Sequence, residues 1–152
     1  MDYILITGGT GYIGSNICIE LYKYTQNIIV IDNYTNSFKH VENSIKKFAP
    51  KIIFLECNLL DNQLLIDIFV TYKISSVIHL AGLKSIKESI KNPLLYYNNN
   101  ISGTLNLLNI MRDFKCFNLI FSSSATVYGK QNTNPISETA ITSGKPENPY
   151  GY

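Results

Sequence analysis

This sequence of 152 residues has no long hydrophobic segment and no strong net charge. Its apolar runs fall short of the roughly 20 residues that span a bilayer, which argues against a membrane protein. Met1 to Ile6 lead directly into a strand and a glycine turn, so we expect a soluble, cytoplasmic protein. The net charge is only +2, and the lysines are scattered without interleaved aromatic residues, which argues against a nucleic-acid partner.

Cysteine and histidine are also scarce, and their spacing is uninformative. Cys18, Cys57 and Cys116 form no close pair, and none has the spacing of a metal site with His40 or His79. We therefore expect three reduced thiols in or near the core and no bound metal.

Apolar segments of two kinds alternate along the chain and predict an α/β domain. Short continuous runs are typical of parallel strands buried on both faces, whereas longer segments with helical spacing are typical of covering helices. The predicted strands are residues 3–7, 28–31, 52–55, 76–80 and 119–121, and the predicted helices are 12–24, about 41–48, 64–72 and 93–114. This alternation predicts a doubly wound, Rossmann-like parallel sheet in the order 3-2-1-4-5, forming one domain over residues 1–152.

The last predicted helix is the longest. Asn92 suits its cap and Pro93 suits its first position, since proline lacks a backbone N–H. We expect its apolar residues to form one stripe: Tyr97, Ile101, Leu105, Leu108 and Met111. From Tyr128 onward the chain is rich in Gly, Asn, Pro, Thr and Ser, which predicts a loop.

A glycine-rich turn carries the main functional signal. Gly9, Gly11 and Gly14 have the dinucleotide-binding spacing, which is a weak signal alone. Here the glycines follow a predicted strand and open a predicted helix, so backbone N–H groups can face a pyrophosphate at close range. An ordinary glycine turn is the less favoured interpretation.

Asp32 ends the second predicted strand. An acidic side chain there accepts hydrogen bonds from the adenosine ribose and repels a 2′-phosphate, which predicts NAD rather than NADP. Taken by itself, Asp32 could equally cap the following turn. Three more strand ends carry small or polar residues that suit the same ligand crevice: Asn58 and Leu59, Leu80 to Gly82, and Ser122 to Ser124.

Eight segments of the chain together resemble the UDP-glucose 4-epimerases, which belong to the extended short-chain dehydrogenases. The segments are Thr7 to Ser15, Asp32–Asn33, His79 to Lys84, Asn92 to Leu94, Tyr96–Tyr97, Asn99–Asn100, Gly103–Thr104 and Phe121 to Gly129. In this family the glycine signature is Gly8, Gly11 and Gly14.

The resemblance implies that NAD takes a hydride from C4 of a UDP-sugar and returns it to the other face of a 4-keto intermediate. Ser124 would hydrogen-bond the oxygen at C4, Tyr150 would exchange the hydroxyl proton, and Lys84 would also contact the substrate. It further implies a homodimer. The NAD-binding residues would be Gly8, Gly11, Tyr12, Ile13, Gly14, Asp32, Asn33, Tyr34, Thr35, Asn36, Ser37, Asn58, Leu59, Leu80, Ala81, Gly82, Leu83, Lys84, Asn99, Ser122 and Tyr150.

The chain also departs from the family's pattern. Asn58 stands where an aspartate is usual, Leu80 where a phenylalanine is common, and Ser85 to Lys87 where Ala-Val-Gly is usual. The lysine that follows the catalytic tyrosine would lie two positions past Tyr152. We therefore expect an amino-terminal fragment that lacks its substrate domain and is nearly inactive by itself.

Two alternatives stay open. Another nucleotide-sugar epimerase or a dehydratase of the same superfamily is one, although dehydratases carry an acidic pair where this chain has Ala125 and Thr126. The other is a module without catalytic activity that binds NAD or dimerises.

Overall fold

Five parallel strands form one sheet in the order β3-β2-β1-β4-β5, as predicted. In the computed structural model, residues 1–129, 135–140, 142 and 146–151 are described, and parts of the predicted carboxy-terminal loop lie outside them. The strands are β1 (Tyr3–Thr7), β2 (Ile28–Asp32), β3 (Ile53–Glu56), β4 (Ile74–His79) and β5 (Asn118–Phe121).

The helices cover the sheet and connect its strands. Three segments agree with the prediction to within a few residues: α1 (Tyr12–Leu21), α2 (Val41–Lys46) and α3 (Asn62–Thr71). α6 (Gly103–Asp113) forms the second half of the predicted helix 93–114. The sequence analysis missed α4 (Ile86–Lys91) and a 3-10 helix at Ala125–Tyr128. Ser85 caps α4 by accepting the backbone N–H of Glu88, a short-range signal that the sequence did contain.

The predicted single helix 93–114 is a chain of three helical pieces. α5 (Pro93–Tyr96) is followed by a π-helical segment, Tyr97–Ser102, and then by α6. Pro93 lies at the start as expected, but the Asn92 side chain makes no capping hydrogen bond. The residues of the predicted stripe do not share one environment, because Met111 is buried while Ile101, Leu105 and Leu108 are exposed. Since the π-helical turns are wider than α-turns, they rotate α6 relative to the expected spacing.

The core lies on both faces of the central strands. Leu5, Ile29 and Ile31 pack on one face with α3 and α6, whereas Ile6 and Val30 pack on the other with α1 and α2. Alternate residues of β1 and β2 therefore enter opposite layers, which explains their continuous apolar runs. Cys18, Cys57 and Cys116 are buried free thiols, as predicted.

β5 is the exception to two-sided burial. Leu119, Ile120 and Phe121 are 37%, 65% and 57% exposed. The expectation that each strand is covered on both faces is therefore wrong for β5. No helix in the described ranges has the length and apolarity to cross a membrane.

Candidate cofactor-binding site

The predicted cofactor residues cluster at the carboxyl edge of the sheet, because all five strands are parallel and end there. Gly8 follows β1, Asp32 ends β2, Asn58 follows β3 and Ser122 follows β5. The remaining predicted residues occupy the loops after these strands and the helices that begin there: Gly11, Tyr12, Ile13 and Gly14; Asn33, Tyr34, Thr35, Asn36 and Ser37; Leu59; Leu80, Ala81, Gly82, Leu83 and Lys84; and Asn99 in the π-helical segment.

The glycine turn between β1 and α1 is too tight for side chains at three positions, since a Cβ at Gly9 would lie 2.5 Å from Val30 Cγ1 and the two other positions meet backbone atoms. Gly8 has a φ of 68°, and a Cβ atom there would lie 2.8 Å from Ala81 Cα. A Cβ at Gly14 would lie 2.6 Å from Gly9 Cα and closer still to the Gly8 carbonyl. The turn therefore packs directly against the loop after β4, and α1 packs directly against the turn.

The amino-terminal end of α1 opens this edge toward an anion. Gly11, at the cap position, makes no side-chain capping bond, and the first turn contains no acidic residue. The first N–H groups of a helix lack intrahelical partners, and the helix dipole places positive charge there. Tyr12 and Ile13 are 83% and 53% exposed, so the helix start faces solvent. This geometry suits a pyrophosphate.

Asp32 is buried, and its carboxylate connects the glycine turn to the loop after β2. Oδ2 accepts the backbone N–H of Thr10 at 3.1 Å. Oδ1 accepts the backbone N–H of Tyr34 at 3.0 Å and the Ser37 hydroxyl at 3.0 Å, and Ser37 Oγ lies 2.8 Å from Thr10 Oγ1. The two interpretations of Asp32 in the sequence are therefore compatible, since the same carboxylate shapes the turn and lies at the cofactor edge.

Several hydrogen bonds fix the loop after β2. Tyr34 has a φ of 55°, and its hydroxyl donates to Glu42 of α2. Burial and the nearby Glu42 carboxylate raise the pKa of Tyr34. Asn36 Nδ2 donates to the Gly82 carbonyl at 3.4 Å, which joins the loops after β2 and β4.

Asn100 holds the loop after β4 and was not a predicted site residue. Its Oδ1 accepts the backbone N–H of Leu83 at 2.8 Å, and its Nδ2 donates to the Leu83 carbonyl at 2.8 Å. The neighbouring Asn99 donates to the same Oδ1 at 2.9 Å. The Asn99–Asn100 pair in the sequence was the available signal, but only the π-helical turn shows that Asn100 binds the loop.

His79 lies in a buried hydrogen-bond chain that the sequence analysis also missed. Thr7 Oγ1 accepts the N–H groups of Leu80 and Ala81, at 3.2 and 3.1 Å, so its proton points to His79 Nδ1 at 2.6 Å. His79 Nε2 then donates to Thr104 Oγ1 at 2.9 Å. The imidazole is neutral in this arrangement, and burial lowers its pKa to about 4. This series of hydrogen bonds connects the ends of β1 and β4 to α6.

Ser124 and Tyr150, the two predicted catalytic residues, lie on segments that meet at Thr126. Ser124 Oγ accepts from the Thr126 hydroxyl at 2.9 Å and from its N–H at 3.3 Å, so its own proton stays available to a ligand. A Cβ atom on Gly151, next to Tyr150, would lie 3.6 Å from Thr126 Cβ. The Tyr150 ring packs edge-on against the buried Tyr96, with centroids 6.3 Å apart.

Two predicted binding residues have exposed side chains at the rim. Lys84 follows the buried Leu83 and is exposed. Asn58 is exposed as well, and its Oδ1 accepts the backbone N–H of Leu60 at 3.0 Å. The acceptor that Asn58 offers in place of an aspartate is therefore already engaged by its own loop.

These features together fit a dinucleotide. The side-chain-free turn and the uncapped helix start suit the pyrophosphate, and Asp32 lies where the ribose of the adenosine would meet the end of β2. Among the described residues no cluster of His, Cys, Asp and Glu can hold a metal ion.

Comparison with known proteins places this geometry in a family. A family model described as GDP-mannose 4,6 dehydratase matches residues 5–152. The chain is 45% identical to UDP-glucose 4-epimerase 2 of Arabidopsis thaliana, covering 97% of this chain and 43% of that protein. It is 44% identical to UDP-glucose 4-epimerase of Bacillus subtilis, with 97% and 43% covered. The chain thus spans less than half the length of these relatives.

A solved structure agrees with the sequence comparison. The UDP-glucose 4-epimerase of Bifidobacterium longum, in complex with NAD+ and UDP, superposes with a TM-score of 0.92 at 38% identity, covering 99% of this chain and 45% of that one. By its match over residues 5–152, the chain belongs to the family described as GDP-mannose 4,6 dehydratase, and the relatives that it resembles are UDP-glucose 4-epimerases.

Proposed function

We propose that these residues are the NAD-binding part of an enzyme that epimerises UDP-glucose and UDP-galactose at C4. The observation that supports this most directly is the turn from Gly8 to Gly14, which excludes side chains at both ends, together with Asp32 beside it. The similarity to epimerases over nearly the whole chain supports the reaction class. Bound NAD would supply a hydride acceptor that returns the hydride within the same turnover.

The chain's own residues would hold the cofactor in three places. The start of α1 would face the pyrophosphate, and the loop that begins at Asp32 would take the adenosine. The loop from Leu80 to Lys84, held by Asn100, and Asn99 beside it would line the nicotinamide half. The assignments of all the site residues named from the sequence remain part of this proposal.

Ser124 and Tyr150 would act on the sugar. The Ser124 hydroxyl proton would bind the oxygen at C4, since both hydrogen bonds from Thr126 use Ser124 Oγ as the acceptor. The Tyr150 hydroxyl would take up and return the proton of that oxygen. Packing against Tyr96 limits the positions of the Tyr150 ring. The low activity expected of these 152 residues by themselves stays a prediction.

Asp32 is expected to set the preference for NAD. The unsubstituted chain should bind NAD with a micromolar Kd and NADP at least tenfold more weakly. Asp32→Ala should reduce that preference by about tenfold, because a hydrogen bond to a charged group contributes about 1.5–3 kcal/mol. Calorimetric titration with both nucleotides measures it, with Asp67→Ala, an exposed aspartate on α3, as the control. An unchanged preference would remove Asp32 from this role.

Ser124→Ala is expected to lower kcat for conversion of UDP-galactose to UDP-glucose on the order of tenfold, since the oxygen at C4 loses a hydrogen-bond donor. The assay uses a protein of the relatives' full length, and NAD affinity should stay unchanged. Ser44→Ala, at an exposed serine on α2, is the control and should keep its activity. Equal rates in both variants would contradict the assignment.

The alternatives make different predictions in the same assays. A dehydratase would release a keto sugar that the assay for UDP-glucose would miss, and Ala125 and Thr126 in place of an acidic pair argue against it. A module without catalytic activity would bind NAD but show no conversion even at the relatives' full length.

A homodimer and a cytoplasmic location in galactose metabolism complete the proposal. Several large apolar side chains are exposed between α4 and α6, and their number supports pairing with a second copy, because large apolar patches on monomers are uncommon. They include Ile90, Leu94, Ile101, Leu105 and Leu108. Three free buried thiols are compatible with a reducing compartment.

A further inference from the structure

Glu56 is a second carboxylate beside Asp32 at the proposed adenosine end of the site. It is the last residue of β3, and the register of the sheet pairs it directly with Asp32. Unlike Asp32, which is buried, the Glu56 side chain is 61% exposed. The sequence analysis assigned it no role.

Lys39 forms an ion pair with Glu56. Its Nζ is 2.9 Å from Glu56 Oε2 and 5.5 Å from the centre of the Tyr34 ring. Tyr34 in turn donates its backbone N–H to Asp32. The Lys39 ammonium therefore lies against the ring of a residue whose backbone bonds to Asp32. The hydrogen bond to Glu56 raises the pKa of Lys39, so the ammonium is charged at neutral pH.

A cation in this place has a chemical consequence for cofactor choice. The 2′-phosphate of NADP is a dianion near neutral pH, and basic side chains near the end of the second strand are what accommodate it. A lysine with an unpaired charge would attract that phosphate and oppose the effect of Asp32. The ion pair with Glu56 compensates the lysine charge at this point.

We propose that Glu56 is a second determinant of the preference for NAD, because it neutralises Lys39 and so denies the 2′-phosphate of NADP a cation. This inference rests on the proposed cofactor function. It adds a residue of β3 to a selectivity that the sequence analysis assigned to Asp32 alone.

The test compares NAD and NADP affinities of the chain and of Glu56→Gln at low ionic strength. Glu56→Gln should lower the Kd for NADP about tenfold and leave the Kd for NAD unchanged. In 0.5 M salt, most of this gain in NADP affinity should disappear, because salt screens the charge of Lys39. Glu20→Gln is the matched control, because Glu20, on α1, is 62% exposed and pairs with Lys23 just after that helix. Adding Lys39→Met to Glu56→Gln should remove the gain.

Each outcome decides the inference. A shift no larger than that of Glu20→Gln would overturn it while leaving NAD binding intact. A shift that survives Lys39→Met would also overturn it, because the gain would not come from the lysine. A chain that binds neither nucleotide would overturn the proposed cofactor function and this inference with it.

Discussion

Gly14→Ala is expected to abolish measurable NAD binding, a loss of more than a hundredfold, and to lower the free energy of unfolding by about 2 kcal/mol. In an open helix position the same substitution would stabilise by up to about 1 kcal/mol. Here the substitution is expected to destabilise the fold, because the added Cβ would lie 2.6 Å from Gly9 Cα and closer to the Gly8 carbonyl. Both are backbone atoms, so α1 must move away from the turn.

Gly11→Ala separates the loss of binding from the loss of stability. The nearest atom to a Cβ at Gly11 is the Gly8 carbonyl oxygen at 3.2 Å, and Gly11 has an ordinary φ of −71°. We expect a stability cost under about 1 kcal/mol, the size of a poorer helix cap, but weaker NAD binding because the methyl group enters the pyrophosphate path. Urea unfolding and calorimetry measure the two effects. Wild-type stability and affinity in Gly14→Ala would contradict the tight packing of the turn.

The sheet was predictable because its signals are local. β1 and β2 are buried on both faces, so each strand appears as a continuous apolar run. The strand order follows from right-handed connections between alternating strands and helices. β5 shows the limit of this reasoning, since its apolar run looks the same but its faces are exposed.

The prediction of one long helix over residues 93–114 was wrong for a different reason. Its apolar residues recur at nearly helical spacing, and nothing in that spacing marks a π-helical segment at Tyr97–Ser102. Asn100 of that segment exchanges two hydrogen bonds with the backbone of Leu83, a tertiary contact that the spacing does not encode. A helical period alone therefore predicted one helix where the structure has three helical pieces, and it grouped the buried Met111 with exposed residues.

The candidate site also contains some residues that the sequence could identify and others that it could not. Gly8, Gly14 and Asp32 stand in a short pattern whose spacing has a physical reason, so they could be named from sequence. Thr7, His79 and Asn100 form their hydrogen bonds only after the sheet and helices assemble. Single residues of these types form no sequence pattern from which such bonds could be predicted. Residues that hold the site are therefore harder to predict than residues that line it.

His79 should make the protein's stability depend on pH in the mildly acidic range. Its pKa in the folded chain is about 4, below the ordinary value of 6.5, because burial disfavours the charged ring. The unfolded chain therefore binds more protons between these values, and the contribution of His79 is complete above pH 6.5 and is lost as the pH falls toward 4. We expect a loss of about 2.5 kcal/mol between pH 7 and pH 4.5 from this residue.

The test is urea unfolding of the chain, His79→Gln and His40→Gln at both pH values. Glutamine keeps a donor and an acceptor but cannot be protonated, so His79→Gln should lower stability at pH 7 by about 1–3 kcal/mol through imperfect bonds to Thr7 and Thr104. It should also lose most of the pH dependence, whereas His40→Gln, at an exposed position, should keep it. If His79→Gln kept the full dependence, the titration would belong to other groups. Loss of the dependence would show that a neutral imidazole joins β1, β4 and α6 beside the proposed cofactor.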